Sequence, residues 1–346
     1  MHDSRLIGTA QIVIAITVAV AALTVASSFF APLALALVIM AVVWPMQRRL
    51  QASVPRLVAL FITLAVIIVV VSAFGSLIGW ALGRVGRWFI NDAARFQVIY
   101  DQITTWLEGH GIAVSGIWTD NFSVSWILGV VNSVTNRVNT TVSFWLVAMV
   151  YVVLGLLEVE AFARKVEHLR NREVAQVLRG GLSATAWKLR RYMLVRTAMS
   201  IMTGIFVWAF ARIAGLPLAE EWGLIAFALN YIPMIGPLIA TLLPTLFAVT
   251  QFGSWEAIVL TFICLSMIQF VVGSYVEPRV SGSALAISPI IVLASVFLWA
   301  YLWGIFGAFI GVPITIAVVS FCAQCSPSMW VADLVSAEQQ PTAPVR

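Results

Sequence analysis

Apolar residues run through this chain in long unbroken stretches, neither alternating as in a half-buried strand nor confined to the stripe of a surface helix. Leu6–Val25, Phe29–Met46 and Leu57–Leu82 come first, followed by Val142–Leu157, Leu194–Ile213, Trp222–Thr250, Ala257–Tyr275 and Ile287–Cys322. A hydrocarbon core of about 30 Å takes about 20 apolar residues as a helix, and lipid offers no partner to an open backbone, so each stretch predicts a membrane-embedded helix. The expected fold is an all-α integral membrane protein of about eight hydrophobic segments. The first stretch follows Arg5 and ends at Ala26-Ser27-Ser28, much as a signal peptide would. It exceeds the roughly 7–15 apolar residues of such a peptide and is read as a retained anchor.

The polar intervals keep a helical pattern. Val85, Trp88, Phe89, Phe96, Ile99, Ile103 and Trp106 recur at helical spacing, as do Val124, Ile127, Val131, Val134 and Val138 after a Gly/Ser/Asp-rich break near Gly109–Asn121. Amphipathic helices are therefore expected in this loop. Further on, Val159, Phe162, Val166, Leu169, Val174, Val177, Leu178 and Leu182 stand opposite Arg164, Lys165, Arg170, Arg172 and Arg179. Two readings are open here: a helix lying on an anionic leaflet, or a helix packed on its neighbours with a solvated basic face. Ser326–Arg346, with Pro341 and Pro344, is expected to fray. The division expected is 1–82, three transmembrane helices; 83–140, an extracytoplasmic helical region; 141–157, a fourth transmembrane helix; 158–191, a cytoplasmic basic region; 192–322, a region of broken transmembrane helices; and 323–346, a flexible cytoplasmic tail.

Composition agrees: 61% of residues are hydrophobic and 10% charged, against about 45–50% and 25% in soluble domains, and the mean hydropathy is +0.99. A net charge of +5 would suggest nucleic acid in a soluble protein, but twelve of the twenty basic residues lie at Arg5 and in two short loops. Gln47–Arg56 holds Arg48, Arg49 and Arg56 without an acid, and Glu158–Arg191 has eight basic residues against four acids. Such asymmetry puts both loops and the N-terminus in the cytoplasm. Gly83–Thr140, with four arginines and four acids, and Gly215–Glu221, with Glu220 and Glu221 and no base, are then outside. The basic residues are topology signals, the partner they imply is membrane lipid, and no nucleic-acid partner is expected.

Scarcity of reactive residues excludes several chemistries. Neither lysine, Lys165 nor Lys188, follows a glycine as a nucleotide-binding Gly-Lys-Ser/Thr loop requires. His2, His110 and His168 all lie outside the apolar stretches, so no intramembrane zinc site or Ser/His pair can form. Cys264, Cys322 and Cys325 lack the partners of a metal site and are read as packing residues. No enzyme, cofactor or metal is expected.

Binding at membrane depth is instead sought where helices break, because broken helices free backbone groups and dipole ends. The sixth stretch reads Asn230-Tyr231-Ile232-Pro233-Met234-Ile235-Gly236-Pro237 at its centre. In a continuous helix Pro233 and Pro237 would leave the carbonyls of Leu229 and Pro233 unpaired. Asn230, Pro233, Gly236 and Pro237 are therefore candidate translocation residues, the alternative being a kinked helix whose carbonyls are met by neighbours. At the second break Glu277, Pro278 and Arg279 put an acid and a base two residues apart across a proline. They cannot face each other on one helix, so each must pair elsewhere. Glu277 is a candidate proton- or cation-binding carboxylate and Arg279 an anchor for an electronegative substrate; in a plain loop both would be interfacial charges. Gln269 joins the candidates or bonds across helices. Small residues at Gly304, Gly307 and Gly311 before Pro313, and at Gly75, Gly79 and Gly83, offer packing or sliding faces. Whether Trp222–Thr250 and Ile287–Cys322 span or re-enter is left open by the near-neutral loops beside them.

Glu220–Val318, with the Asn230–Pro237 motif, Glu277-Pro278-Arg279-Val280-Ser281-Gly282 and Gly304–Pro313, closely resembles the autoinducer-2 exporter (AI-2E) family of permeases. The N-terminal half is similar in the layout of its spans. The resemblance implies a bacterial inner-membrane transporter without ATPase, assembled as a homo-oligomer, with a pentamer as one form. Within the family, export of the quorum-sensing furanone autoinducer-2 and sodium(lithium)/proton antiport have both been assigned. Pro278-Arg279 and the Trp299–Trp303 stretch look more like the autoinducer-2 branch. The expected activity is thus alternating-access export of a small polar signalling molecule; the alternatives are an antiporter using Glu277 and a membrane scaffold that transports nothing.

Overall fold

The computed structural model describes residues 2–91, 105, 108–109, 124–252, 255–281, 287–325 and 328–335, and the regular elements among them are helical. In chain order they are α1 (His2–Val25), α2 (Ser27–Gln51), α3 (Arg56–Asn91), α4 (Val124–Glu167), α5 (Arg172–Ile213), α6 (Ala219–Leu229), α7 (Ile235–Phe252), α8 (Trp255–Phe270), a π-helical turn (Val271–Val276), α9 (Glu277–Ser281), α10 (Pro289–Cys322) and α11 (Met329–Val335). The all-α membrane fold expected from the hydrophobic pattern is the one found. Six helical stretches among the described residues have the length and composition to cross a bilayer: Ser27–Gln51, Arg56–Trp88, Thr141–Glu167, Arg172–Ile213, Trp255–Ser281 and Pro289–Cys322. The expected eight segments are not confirmed: Leu6–Val25 and Trp222–Thr250 are not among these six. Two of the long apolar stretches fold back on themselves.

Trp222–Thr250 is the first. α6 ends at Leu229 and α7 begins at Ile235. A straight helix would separate residues 222 and 247 by about 37 Å, yet the Trp222 and Phe247 rings are 5.2 Å apart edge to face. Trp222, Ile225 and Ala226 of α6 share one apolar cluster with Ala240, Phe247 and Ala248 of α7. At the open end Gln251 Nε2 donates to Gly215 O at 3.2 Å. The stretch is an antiparallel helical hairpin with both ends together. Gly236 makes the tip possible, because a Cβ there would collide with the Leu229 backbone.

α10 is the second. Trp303 and Gly304 leave helical geometry, and Gly304 takes φ 64° and ψ −144°, a conformation open essentially to glycine alone. Ser295 Oγ and Thr315 Oγ1 are 2.6 Å apart, whereas twenty residues of straight helix would part them by about 30 Å. Gly311 lies so close to the first limb that a Cβ would be 3.1 Å from Ser295 O, and one on Gly307 would collide with Trp299 O. The glycine stripe after Gly304 therefore packs against its own preceding limb. α11, in the stretch expected to fray, buries Ala332 and Val335 beside Ile287, Ile291 and Val319, and Ser288 N donates to Val335 O.

α4 and α5, 44 and 42 residues long, would each extend more than 60 Å if straight. They carry the basic stretch as continuations of their spans, joined by a turn at 168–171. The first amphipathic stretch of the loop expected outside likewise prolongs α3 to Asn91, while its later positions Phe96, Ile99, Ile103 and Trp106 lie outside the described residues, as does the break from 110 to 121; the second stretch opens α4. The chain divides into two compact units. One comprises Met1–Leu64, Ser143–Met193 and Ser283–Arg346; the other comprises Ala65–Val142 and Leu194–Gly282. The first contains the α10 hairpin, with Trp303 Nε1 donating to Leu23 O at 3.0 Å and Ile310 packed on Leu35 and Ala148. The second contains the α6–α7 hairpin.

Candidate functional site

In the second unit one turn of α5 holds both breaks found in the sequence. Asn230, at the tip of the α6–α7 hairpin, donates from Nδ2 to Ser200 Oγ at 3.3 Å. Next to it Tyr231 OH donates to Thr197 Oγ1 at 3.0 Å. Arg196 places Nη1 3.1 Å from both Glu277 Oε1 and Oε2. Val195 and Met199 pack on Val272, with Val276 beside them, so the π-helical turn is pressed on the same face. Arg196, Ser200, Thr203 and Asn230 are all buried.

Local sequence explains each placement. Leu229 ends α6 because Pro233, with no amide hydrogen and a fixed φ, closes the route to a continuing helix. The carbonyls expected to be freed do not stay free: Leu229 O accepts from Ile232 N at 2.9 Å and Pro233 O from Ile235 N at 2.7 Å. Turn amides within the tip take them up, so the break supplies side chains more than open backbone. Pro237 falls in the first turn of α7, where a missing N–H costs nothing. Met234 adopts φ 65°, a strain of roughly 1–2 kcal/mol for a residue with a Cβ. α5 and α6 meet backbone to backbone at Gly204 and Gly223, where a Cβ on either would stand 2.9 Å from the other's carbonyl oxygen. That approach lets short side chains such as Ser200 reach the tip.

At the second break Pro278 lacks the N–H that would bond four residues back, and the helix widens just before it. Glu277 N reaches Val272 O, five residues back, in the π-helical turn. The wider turn rotates Glu277 toward Arg196. Glu277 and Arg279 do pair elsewhere: the Arg279 guanidinium lies 3.6 Å from the Tyr275 ring centroid, exposed on the surface of this unit. Pro278 is exposed, and Gln269 on α8 has its Nε2 buried without a hydrogen-bond partner among the described residues. Gly75 and Gly79 on α3 have no atom of the described chain within 4 Å of where a Cβ would be, and Gly83 meets only Arg87. Gly304, Gly307, Gly311 and Pro313 belong to the α10 hairpin in the other unit.

What the sequence reading missed is the α5 side of the cluster. Arg196, Thr197, Ser200 and Thr203 were legible as polar residues at helical spacing at the start of the apolar stretch Leu194–Ile213, a signal outweighed by the proline motifs. The Asn230 amide donates from Nδ2 to Ser200 Oγ, and its Oδ1 is an acceptor. Thr203 Oγ1 is buried with no hydrogen-bond partner among the described residues. An amide and an unpartnered hydroxyl near a hairpin tip are suited to hydrogen-bonding a small polar solute.

The sequence profile described as AI-2E family transporter matches residues 12–326. The AI-2 transport protein TqsA of Escherichia coli (strain K12) is 29% identical over 316 residues, 90% of this chain and 90% of that protein. YhhT of the same organism is 31% identical over 170 residues, 49% of this chain and 48% of its own, and a Haemophilus influenzae protein is 25% identical over 324 residues, 88% and 89%. Transport is a provisional name for both of the latter.

Proposed function

The chain belongs to the AI-2E family of transporters, and from that premise we propose that it exports a small polar signalling molecule of the autoinducer-2 type by alternating access, without ATP. The substrate rests on one observation, the likeness over 90% of both chains to a protein named for AI-2 transport. The polar cluster fits the chemistry. Asn230 Oδ1 and Thr203 Oγ1, with the hydroxyls of Ser200, Thr197 and Tyr231, offer neutral donors and acceptors matched to a hydroxylated solute. The Arg196–Glu277 pair closes one end of the cluster, and the α6–α7 tip is the part whose movement would admit or release solute. In this reading the protein is a homo-oligomer in the bacterial inner membrane with its N-terminus in the cytoplasm.

An antiporter using Glu277 as its exchanging carboxylate is supported less well, because Arg196 already occupies both oxygens. Purified protein in liposomes loaded with labelled autoinducer-2 is expected to release the label, and more slowly in Asn230→Ala. Liposomes that retain the label but change internal pH on sodium addition would favour the antiporter. Silence in both assays would favour a scaffold.

A further inference from the structure

Two polar atoms of the second unit come to one level on facing helices. α5 runs antiparallel to the stretch from α8 to α9, since Arg196 meets Glu277 at 3.1 Å, Met199 packs on Val272, and Val207 shares an apolar cluster with Leu265. Thr203 follows Met199 by one turn and Gln269 precedes Val272 by one turn, so this register sets the two opposite each other. Thr203 has no exposed surface. Neither its Oγ1 nor the buried Nε2 of Gln269 has a hydrogen-bond partner among the described residues. Apolar packing bounds the layer on both sides, with Val195, Met199 and Val272 toward the Arg196 end and Val207, Leu265 and Ile268 on the other.

The Thr203 hydroxyl departs from a habit of this chain. Elsewhere a helical hydroxyl turns back to the carbonyl four residues earlier: Thr24 to Val20, Thr241 to Pro237, Thr245 to Thr241, Thr261 to Ala257 and Ser320 to Ile316, at 2.7 to 2.9 Å. That bond is open to any helical threonine. Thr203 does not make it, and its oxygen is directed away from its own backbone. Charge is also kept from the layer. The nearest charged residues along the two helices, Arg196 and Glu277, are each about two turns away and bound to each other. Glu221 of α6 is held by Arg84 of α3 at 3.0 Å, and α7 carries no charged residue. An ionised solute at this level would give up its hydration without a free counter-ion, whereas a neutral one would exchange water for the two unpartnered groups.

We propose that Gln269 and Thr203 are the selective layer of the translocation cluster, binding an uncharged solute through its hydroxyl or ring oxygens and rejecting ionised analogues of the same size. Gln269 Nε2 donates to a solute oxygen. Thr203 Oγ1 both donates and accepts, so it takes a solute hydroxyl in either sense. Ser200, which receives the Asn230 amide, is the next polar residue along α5 and continues the path to the hairpin tip. The inference rests on the transport reading above and deepens it by naming the residue that selects and the charge class of what is selected.

The test uses the full-length protein in detergent, with labelled autoinducer-2 and labelled ribose as neutral probes and ribonate as an ionised competitor. The wild type is expected to bind the neutral probes saturably and to keep them against an equal concentration of ribonate. Gln269→Met retains the volume and removes the amide. It should weaken binding about tenfold without lowering the melting temperature of the ligand-free protein, and Gln269→Leu gives the same reading if that variant does not fold. A glutamine that only packs helices would do the reverse, lowering the melting temperature and leaving affinity unchanged, and that result overturns the proposal. So does a wild type that binds neither neutral probe, or one that binds ribonate as tightly as ribose. If the neutral probes bind and Gln269→Met weakens them, yet loaded liposomes release no autoinducer-2, the export reading fails and the selective layer stands.

Discussion

Asn230 and Thr203 differ in what their removal should do, and the difference separates a structural from a ligand-binding hydroxyl. Thr203 Oγ1 makes no hydrogen bond among the described residues although it is fully buried, so Thr203→Val removes an unsatisfied group and should leave stability unchanged or raise it by up to about 1 kcal/mol. Transport should nevertheless fall severalfold if that hydroxyl meets the solute. Melting in detergent and flux in liposomes read the two effects separately, and a variant with full flux would take Thr203 out of the site. Asn230→Ala should reduce flux at least tenfold, a loss of about 1.4 kcal/mol in the transition state. At Arg196 the effect is on folding. Arg196→Met strands Glu277, whose side chain is 29% exposed, and should cost about 2 kcal/mol of stability. The double variant Arg196→Met/Glu277→Leu should recover most of it, and failure to recover would mean that the two residues do not act as a pair.

At the scale of elements, both hairpins depend on glycines that no other residue can replace without moving backbone. A Cβ on Gly236 meets Leu229 main-chain atoms, and one on Gly307 meets Trp299 O. Gly236→Ala should therefore destabilise by about 1–3 kcal/mol, as overpacking does, and loosen the tip enough to weaken flux. A melting temperature equal to that of the wild type would show that the α6–α7 tip is not closed as described. By contrast Gly75→Ala meets open space within the described chain and should leave the fold of the chain intact. These breaks were legible in the sequence because proline and glycine act on their own backbone. The π-helical turn was not, since Pro278 dictates only that something upstream must yield, while the packing of Val272 on Val195 and Met199 selects which turn widens.

For the whole molecule, fold-back changes how often the chain crosses the bilayer. If the α6–α7 segment is a hairpin with its ends tied at Gly215 and Gln251, cysteines placed at 220 and at 251 should label from the same side. A single crossing would label them from opposite sides. The same holds for residues 288 and 324 at the ends of the α10 hairpin, in a background with Cys264, Cys322 and Cys325 replaced. With an N-terminus in the cytoplasm, the first pair is expected to face outward and the second inward. Opposite-side labelling of either pair would restore the straight span.

The sequence by itself determined that this chain lives in lipid, that it is helical, which loops are basic, and where its helices break. Each of these depends on composition or on a residue's own backbone, and so survives without knowledge of distant contacts. Tertiary structure alone decided that the broken stretches turn back, that Arg196 meets Glu277 across 81 residues of chain, and that Glu221, an ordinary loop acid by sequence, is buried against Arg84. In an apolar chain almost any helix face can be buried, so hydrophobicity does not say which partner a polar residue finds. Only the packing of α3, α5 and the α6–α7 hairpin does.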